Sequence, residues 1–202
     1  MRDFHLLIDV GNTFLKWGLF QPSATGGARE NRLESGHALL EEIPALPAQF
    51  AKYPAQLGAD RWAALIGARW LLGPRAAMVV VCGTATTIDF LSADGVFKGG
   101  TIMPGVGLML RSLHEGTAAL PDQGGEFDVY PTQTVDAIAS GCQHAQAGAI
   151  ERMYAHEASH VHELTCLISG GAARAVTPRL AIPFQYHENL VLEGLYRVSM
   201  SV

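Results

Sequence analysis

Residues Met78–Ser92 read MVVVCGTATTIDFLS: an apolar run, one glycine with small neighbours, then a second run rich in β-branched and aromatic residues. A short apolar run bounded by a turn signal is the pattern of a strand buried on both faces. Gly83 supplies the bend, so the predicted unit is strand–turn–strand. A similar unit stands at Leu6–Phe20, LLIDVGNTFLKWGLF, with Gly11 in the place of Gly83. Two such stretches support a duplicated unit, and two similar halves would create a cleft of the kind ligands favour. The first unit carries more than a hairpin needs: Asp9 at the end of its strand, and Asn12 and Thr13 at the bend.

Composition sets the frame. The 202 residues suffice for one domain or two small ones. Hydrophobic residues make up 49% and charged ones 16%, ample for a core and unlike a disordered chain. A formal charge of −5 argues against a nucleic-acid partner, which needs a basic face. An anionic substrate must then be held by local cations or oriented backbone amides. Cys82, Cys142 and Cys166 are widely spaced and odd in number, so they read as buried free thiols in a reducing compartment. His156 and His160 have the i, i+4 spacing of metal ligands, with His162 nearby. No third ligand is evident, and a solvated helix end is the expected reading. The start of the chain has no basic leader, and no apolar run reaches the roughly 20 residues of a membrane span. A cytoplasmic protein with no membrane partner is expected.

Strands are expected at Phe4 to Ile8, Thr13 to Phe20, Ala77 to Cys82, Thr86 to Leu91, Val96 to Ile102 and Leu164 to Ile168. Helices are expected at Arg61 to Leu72, Gly105 to Glu115, Thr134 to His156, Ala172 to Ala175 and Glu188 to Met200. Gln21 to Arg32 and Pro44 to Pro54 read as loops, and Ala93-Asp94-Gly95 as a turn. The halves are expected at 1–75 and 76–202, with the C-terminal helix able to pack back on the first.

Gly11, Gly83 and the pair Gly170-Gly171 each follow an expected strand. Such turns leave backbone N–H groups uncovered, which a phosphate cradle requires, although each alone is also ordinary hairpin chemistry. Thr13, Thr84, Thr86 and Thr87 add hydroxyls. A carboxylate beside phosphates needs a hard cation between them, so Asp9 reads as a Mg²⁺ ligand. Lys16 could neutralise transferring phosphate charge or could be an exposed hairpin lysine. In QLGADRWAALIGAR, Asp60 is placed as an N-cap beside a surface arginine. The functional alternative makes Asp60 a general base for an alcohol and Arg61 a fork for a carboxylate.

DVGNT (9–13), GADR (58–61), GTATTID (83–89), GGTIMPG (99–105) and SGG (169–171) occur together and in this order. In this the chain resembles the type III pantothenate kinases of the actin/Hsp70/sugar-kinase superfamily. The resemblance covers nearly the whole chain. It implies α/β architecture in duplicated actin-like (ribonuclease H-like) halves with mixed sheets and flanking helices. It further implies phosphorylation of pantothenate by ATP, the committing step toward coenzyme A. Asp9, Val10, Gly11, Asn12, Thr13, Phe14, Leu15 and Lys16 would form the first phosphate loop, with Asp9 on Mg²⁺ through water. Tyr53, Gly58, Ala59, Asp60 and Arg61 would line the pantothenate pocket, where Asp60 takes the hydroxyl proton and Arg61 grips the carboxylate. Thr84 would contact ATP, Thr134 the pantothenate, and Ser169, Gly170 and Gly171 would lie near the adenosine. Gly99 to Pro104 and the following helix would belong to a homodimer interface that completes each pantothenate site.

Two departures from the family pattern stand out. Many members hold a monovalent cation (K⁺ or NH₄⁺) with an aspartate two residues before the GTA glycine. Here that residue is Val81, which cannot coordinate a cation, so an altered or absent site is expected. The segment between Phe20 and Tyr53 is also shorter than the family's usual first half. A branch of the family is described as accessory factors for virulence-gene transcription, so a non-catalytic regulator with the same fold is the alternative function. Intact Asp9, Asp60 and Arg61 favour the enzyme. A kinase of the same superfamily acting on another small alcohol is the third reading.

Overall fold

The computed structural model describes residues 5–10, 14–20, 32–39, 57–117 and 125–199, and for 5–39 it describes the backbone pairing alone. The chain divides into two compact units, Met1–Arg75 with Asn189–Val202, and Ala76–Glu188.

In the first unit, β1 (His5–Val10), β2 (Phe14–Phe20) and β3 (Arg32–Leu39) form an antiparallel meander in the order β1-β2-β3. The β1–β2 hairpin matches the expected strands to within two residues. Its register sets Asp9 opposite Lys16. The expected loop from Gln21 gives way to β3 at Arg32. RLESGHAL has no alternating pattern of its own, and pairing along β2 outweighs its weak strand propensity. The remaining loop residues, 21–31, and the Pro44 to Pro54 stretch lie outside the described residues.

Helix α1 (Ala59–Leu72) closes at Gly73, whose N–H donates to Arg69 O at 3.0 Å, just before Pro74. It packs on the C-terminal helix of the chain, which is Leu190–Ser199. Ala63, Ala64 and Ala68 are small enough to bring the two backbones close, and all three are buried. The buried Glu193 carboxylate is paired with Arg197, whose guanidinium lies 3.3 Å from the centre of the Trp70 ring. Burying this charge requires such a partner.

The second unit is a five-stranded mixed sheet in the order β6-β5-β4-β7-β8. Its strands are β4 (Ala76–Cys82), β5 (Ala85–Leu91), β6 (Phe97–Pro104), β7 (Leu164–Ser169) and β8 (Gln185–Tyr186). β4, β5 and β6 repeat the antiparallel meander of the first unit, and β7 then pairs parallel to β4. A parallel neighbour requires a crossover. Helices α2 (Val106–Glu115) and α3 (Thr134–Ala158) supply it. After β7 come the short α4 (Ala173–Val176) and a 3₁₀ turn (Thr177–Arg179), so the C-terminal helix is α5. β8 went unread in the sequence because two residues are too short for any periodicity.

One core joins this sheet to its helices: Met78, Val80 and Cys82 of β4, Ile88 and Phe90 of β5, and Ile168 of β7 meet Val106, Ile150 and Val176. β4 is buried along nearly all of its length, which explains its continuous apolar sequence. All three cysteines are free and buried. Burial pushes the Cys82 thiol up to about 11 and that of Cys166 up to about 12. Among the described residues no group of three His, Cys, Asp or Glu could hold a metal, and no helix is long and apolar enough to cross a membrane.

Candidate functional site

Three of the sequence motifs converge at one end of the second unit's sheet. β4 and β5 are joined by the turn Gly83-Thr84, which is closed by a 2.9 Å bond from Gly83 N–H to Ala85 O. That amide is therefore used within the turn. Thr84 is exposed at its tip. Thr86 and Thr87, counted from the sequence as turn hydroxyls, instead lie buried in β5. As consecutive strand residues they face opposite sides of the sheet, and β5 is buried on both from Thr86 onward.

The β6–α2 junction lies behind this turn. Gly105 N–H donates to Thr84 O at 2.8 Å. A Cβ on Gly105 would overlap Gly83 O and stand 2.8 Å from Thr84 O. From the other side comes the β7–α4 turn, where Ala172 N–H donates to Cys82 O at 3.1 Å. Gly170 has φ +102°, and its Cβ would overlap the Cys82 carbonyl, 2.7 Å from the carbonyl carbon. Only glycine combines that dihedral with that approach. Ser169 is buried at the strand end, and its hydroxyl donates to Glu188 O at 3.4 Å. Gly171, by contrast, is exposed and faces open space. GTATTID, the last glycine of GGTIMPG, and SGG are thus one backbone-bonded assembly.

The start of α3 is positioned by a second assembly. The Asp136 carboxylate accepts the Glu126 N–H at 2.8 Å, and Ser140 Oγ accepts the Asp128 N–H at 3.0 Å. Arg179 lies 3.6 Å from the centre of the Phe127 ring and donates to Gln143 Oε1. These contacts tie residues 125–130 to α3 beside Thr134, its exposed first residue. Thr134 lines an open groove of about 590 Å³ between α2 and α3, with Met109, Ser112, Leu113, Ile138 and Ala145. None of the tying residues was singled out from the sequence. Their one local signal is an acidic residue in the first turn of a helix, which is common at helix starts.

At the head of α1 the structure corrects the expected cap. Gly58 is the N-cap, its carbonyl accepting the Trp62 N–H at 3.0 Å, and no side chain caps the helix. Asp60 lies in the first turn instead, exposed, with its carboxylate folded back over Gly58. A Cβ on Gly58 would stand 2.7 Å from Asp60 Oδ1, so the missing side chain makes room for the carboxylate. Ala59 is exposed and Arg61 half-buried.

Of the first phosphate loop, Asp9 and Val10 end β1, and Phe14, Leu15 and Lys16 open β2. Gly11, Asn12, Thr13 and Tyr53 lie outside the described residues. Val81 is half-buried in β4, with Thr87 and Ser169 as its partners in register. The Thr87 hydroxyl is buried without a hydrogen-bond partner among the described residues. Asp89 pairs with Val79 and Gly100, one step further along the strand face.

A family model described as "Type III pantothenate kinase" matches residues 45–156. A type III pantothenate kinase of Aromatoleum aromaticum is 55% identical over 142 residues, covering 70% of this chain and 58% of that protein. The chain thus spans less than two thirds of that relative in the alignment. A type III pantothenate kinase of Acidovorax ebreus is 39% identical over 246 residues, covering 96% of this chain and 95% of its own. That alignment is longer than the chain itself, so the relative holds residues for which this chain has none. Among solved structures, a Campylobacter jejuni protein described as a Baf family transcriptional activator superposes with a TM-score of 0.67 at 17% identity, covering 98% of each chain. That likeness establishes the fold.

Proposed function

Since the chain belongs to the type III pantothenate kinase family, we propose that it transfers the γ-phosphoryl group of ATP to the 4′-hydroxyl of pantothenate, in the cytoplasm. What carries this reading is the similarity to a named pantothenate kinase over nearly that protein's full length. The proton of the pantothenate hydroxyl passes to Asp60 as its oxygen bonds the γ-phosphorus. The bond from that phosphorus to the β–γ bridging oxygen breaks, and ADP leaves. Catalysis of this kind is mainly positioning and charge neutralisation.

Roles follow the motifs. Asp9, Val10, Gly11, Asn12, Thr13, Phe14, Leu15 and Lys16 hold ATP phosphates. Asp9 takes Mg²⁺ through water, and the Lys16 opposite it in register adds positive charge. One carboxylate together with phosphate oxygens and water suits a hard divalent ion, which would supply charge neutralisation at the phosphates. Thr84 contacts ATP, and Ser169 to Gly171 lie along the adenosine. Tyr53, Gly58, Ala59, Arg61 and Thr134 hold pantothenate, with Arg61 on its carboxylate. The chain works as a homodimer through β6 and α2, a reading supported by exposed Ile102, Leu108 and Leu113.

A monovalent cation site built on a carboxylate at position 81 is altered or absent here, because the Val81 side chain offers no oxygen and its two partners in register offer neutral hydroxyls. Activity is therefore expected to be the same in sodium, potassium and ammonium salts. Val81→Asp is expected to introduce a difference among these salts, read both in turnover and in melting temperature. A several-fold requirement for potassium in the wild type would overturn this.

A coupled assay of ADP release tests the function itself. Release is expected to depend on pantothenate. Release with another small alcohol alone would assign a different acceptor, and no release with any acceptor would leave a nucleotide-binding regulator.

A further inference from the structure

The Gly83-Thr84 turn has little packing of its own. Thr84 and Ala85 are exposed, and within the turn Gly83 N–H donates to Ala85 O. Beyond the β4–β5 ladder, its position is held by backbone supplied by two other motifs, the Gly105 amide on Thr84 O and the Ala172 amide on Cys82 O. Both approaches are closer than any side chain permits, because a Cβ at Gly105 or Gly170 would overlap a carbonyl of the β4–β5 reversal.

Gly105 stands where helices usually carry a hydroxyl or carboxamide cap, and α2 has no side-chain cap. Its φ of −69° and ψ of 168° suit any residue, so backbone freedom does not account for a glycine there. The space occupied by the Gly83-Thr84 turn does.

We infer that Gly105 and Gly170 are positioning residues that clamp the Gly83-Thr84 turn from two sides, so that it meets the nucleotide phosphates preformed. The inference rests on the kinase reading, which places ATP at Thr84. It moves the final glycine of GGTIMPG from a subunit-interface motif to a part of the nucleotide site. A displacement of the turn by even 1 Å is enough to cost a large factor in a reaction governed by positioning.

Gly105→Ala is the clean test, since alanine accepts the backbone dihedrals and only the turn must move. A non-hydrolysable ATP analogue with Mg²⁺ is titrated into the 202-residue wild type and variant, and both are assayed for ADP release. Analogue affinity is expected to fall about tenfold or more, with KM for ATP rising in step and KM for pantothenate nearly unchanged. A merely structural role would move both KM values together or neither. Equal analogue affinity in a folded variant overturns the clamp and leaves the kinase reading standing. Analogue binding by the wild type without pantothenate-dependent ADP release sinks the kinase reading, and the affinity ratio still decides the clamp. A wild type that binds no analogue overturns both. If Gly105→Ala fails to fold, Val106→Ala loosens the same junction from the core side. Its analogue affinity is expected to fall about threefold, and unchanged affinity overturns the clamp.

Discussion

Asp60→Asn is expected to lower turnover with pantothenate by two to four orders of magnitude, about what a positioned general base contributes. The protein should remain folded. Asp60 is exposed and is not the helix cap, so the stability at stake is its interaction with the positive end of α1, about 0.3–1 kcal/mol. Turnover and stability therefore separate cleanly in this variant. Asparagine keeps the size and the hydrogen-bonding shape of the side chain but cannot take a proton, so binding of pantothenate should change little. The check is steady-state kinetics beside a thermal melt of the same preparation. Turnover within a few-fold of wild type would remove Asp60 from the base role. A collapse of the melting temperature would show that the side chain is structural.

The second large effect lies in the first unit. Gly194→Ala in an ordinary exposed helix would stabilise by about 1 kcal/mol, through helix propensity. Here the opposite is expected. A Cβ on Gly194 would overlap Ala63 O and stand 3.0 Å from Ala63 Cα. Gly67 makes the reciprocal approach, its Cβ site lying 2.6 Å from Leu190 O. The obstacle is backbone and not a side chain that can rotate away, so α1 and α5 must separate. Overpacking of this kind costs about 1–3 kcal/mol, and at its upper end the net loss is about 2 kcal/mol after the propensity gain. Trp17, Trp62 and Trp70 are the protein's three tryptophans and all belong to this unit, so their fluorescence follows its unfolding in urea. A midpoint equal to or above that of the wild type would mean that the two helices are not locked at this crossing.

Much of the second unit was legible in the sequence because its elements declare themselves locally. MVVVC suits a buried strand, and the expected boundaries of its strands β4 to β7 and of its helices lie within about two residues of those observed; α1 of the first unit, in GADRWAALIGARWLLGP, is legible in the same way from its helical spacing and stop signal. The first unit was less legible. β3 depends on the partner it pairs with, and the partner is not written in RLESGHAL.

The candidate site divides in the same way. The amino-acid sequence by itself determined which residue types are present: a carboxylate at the end of the first strand, GADR at the start of a helix, glycines after three strands, and a valine where the family pattern has an aspartate. Residue type and short-range spacing are enough for those conclusions. Only the tertiary structure decided that Gly58 and not Asp60 caps α1, that Thr86 and Thr87 are buried, and that Gly105 and Gly170 support the Gly83-Thr84 turn. The buried threonines and the glycine contacts depend on sheet pairing and crossover helices that bring together segments far apart in the chain, and the cap depends on local backbone geometry that residue type alone does not fix. A glycine reads the same in sequence whether it bends the chain or makes room for another strand, and only the neighbour across the gap distinguishes the two.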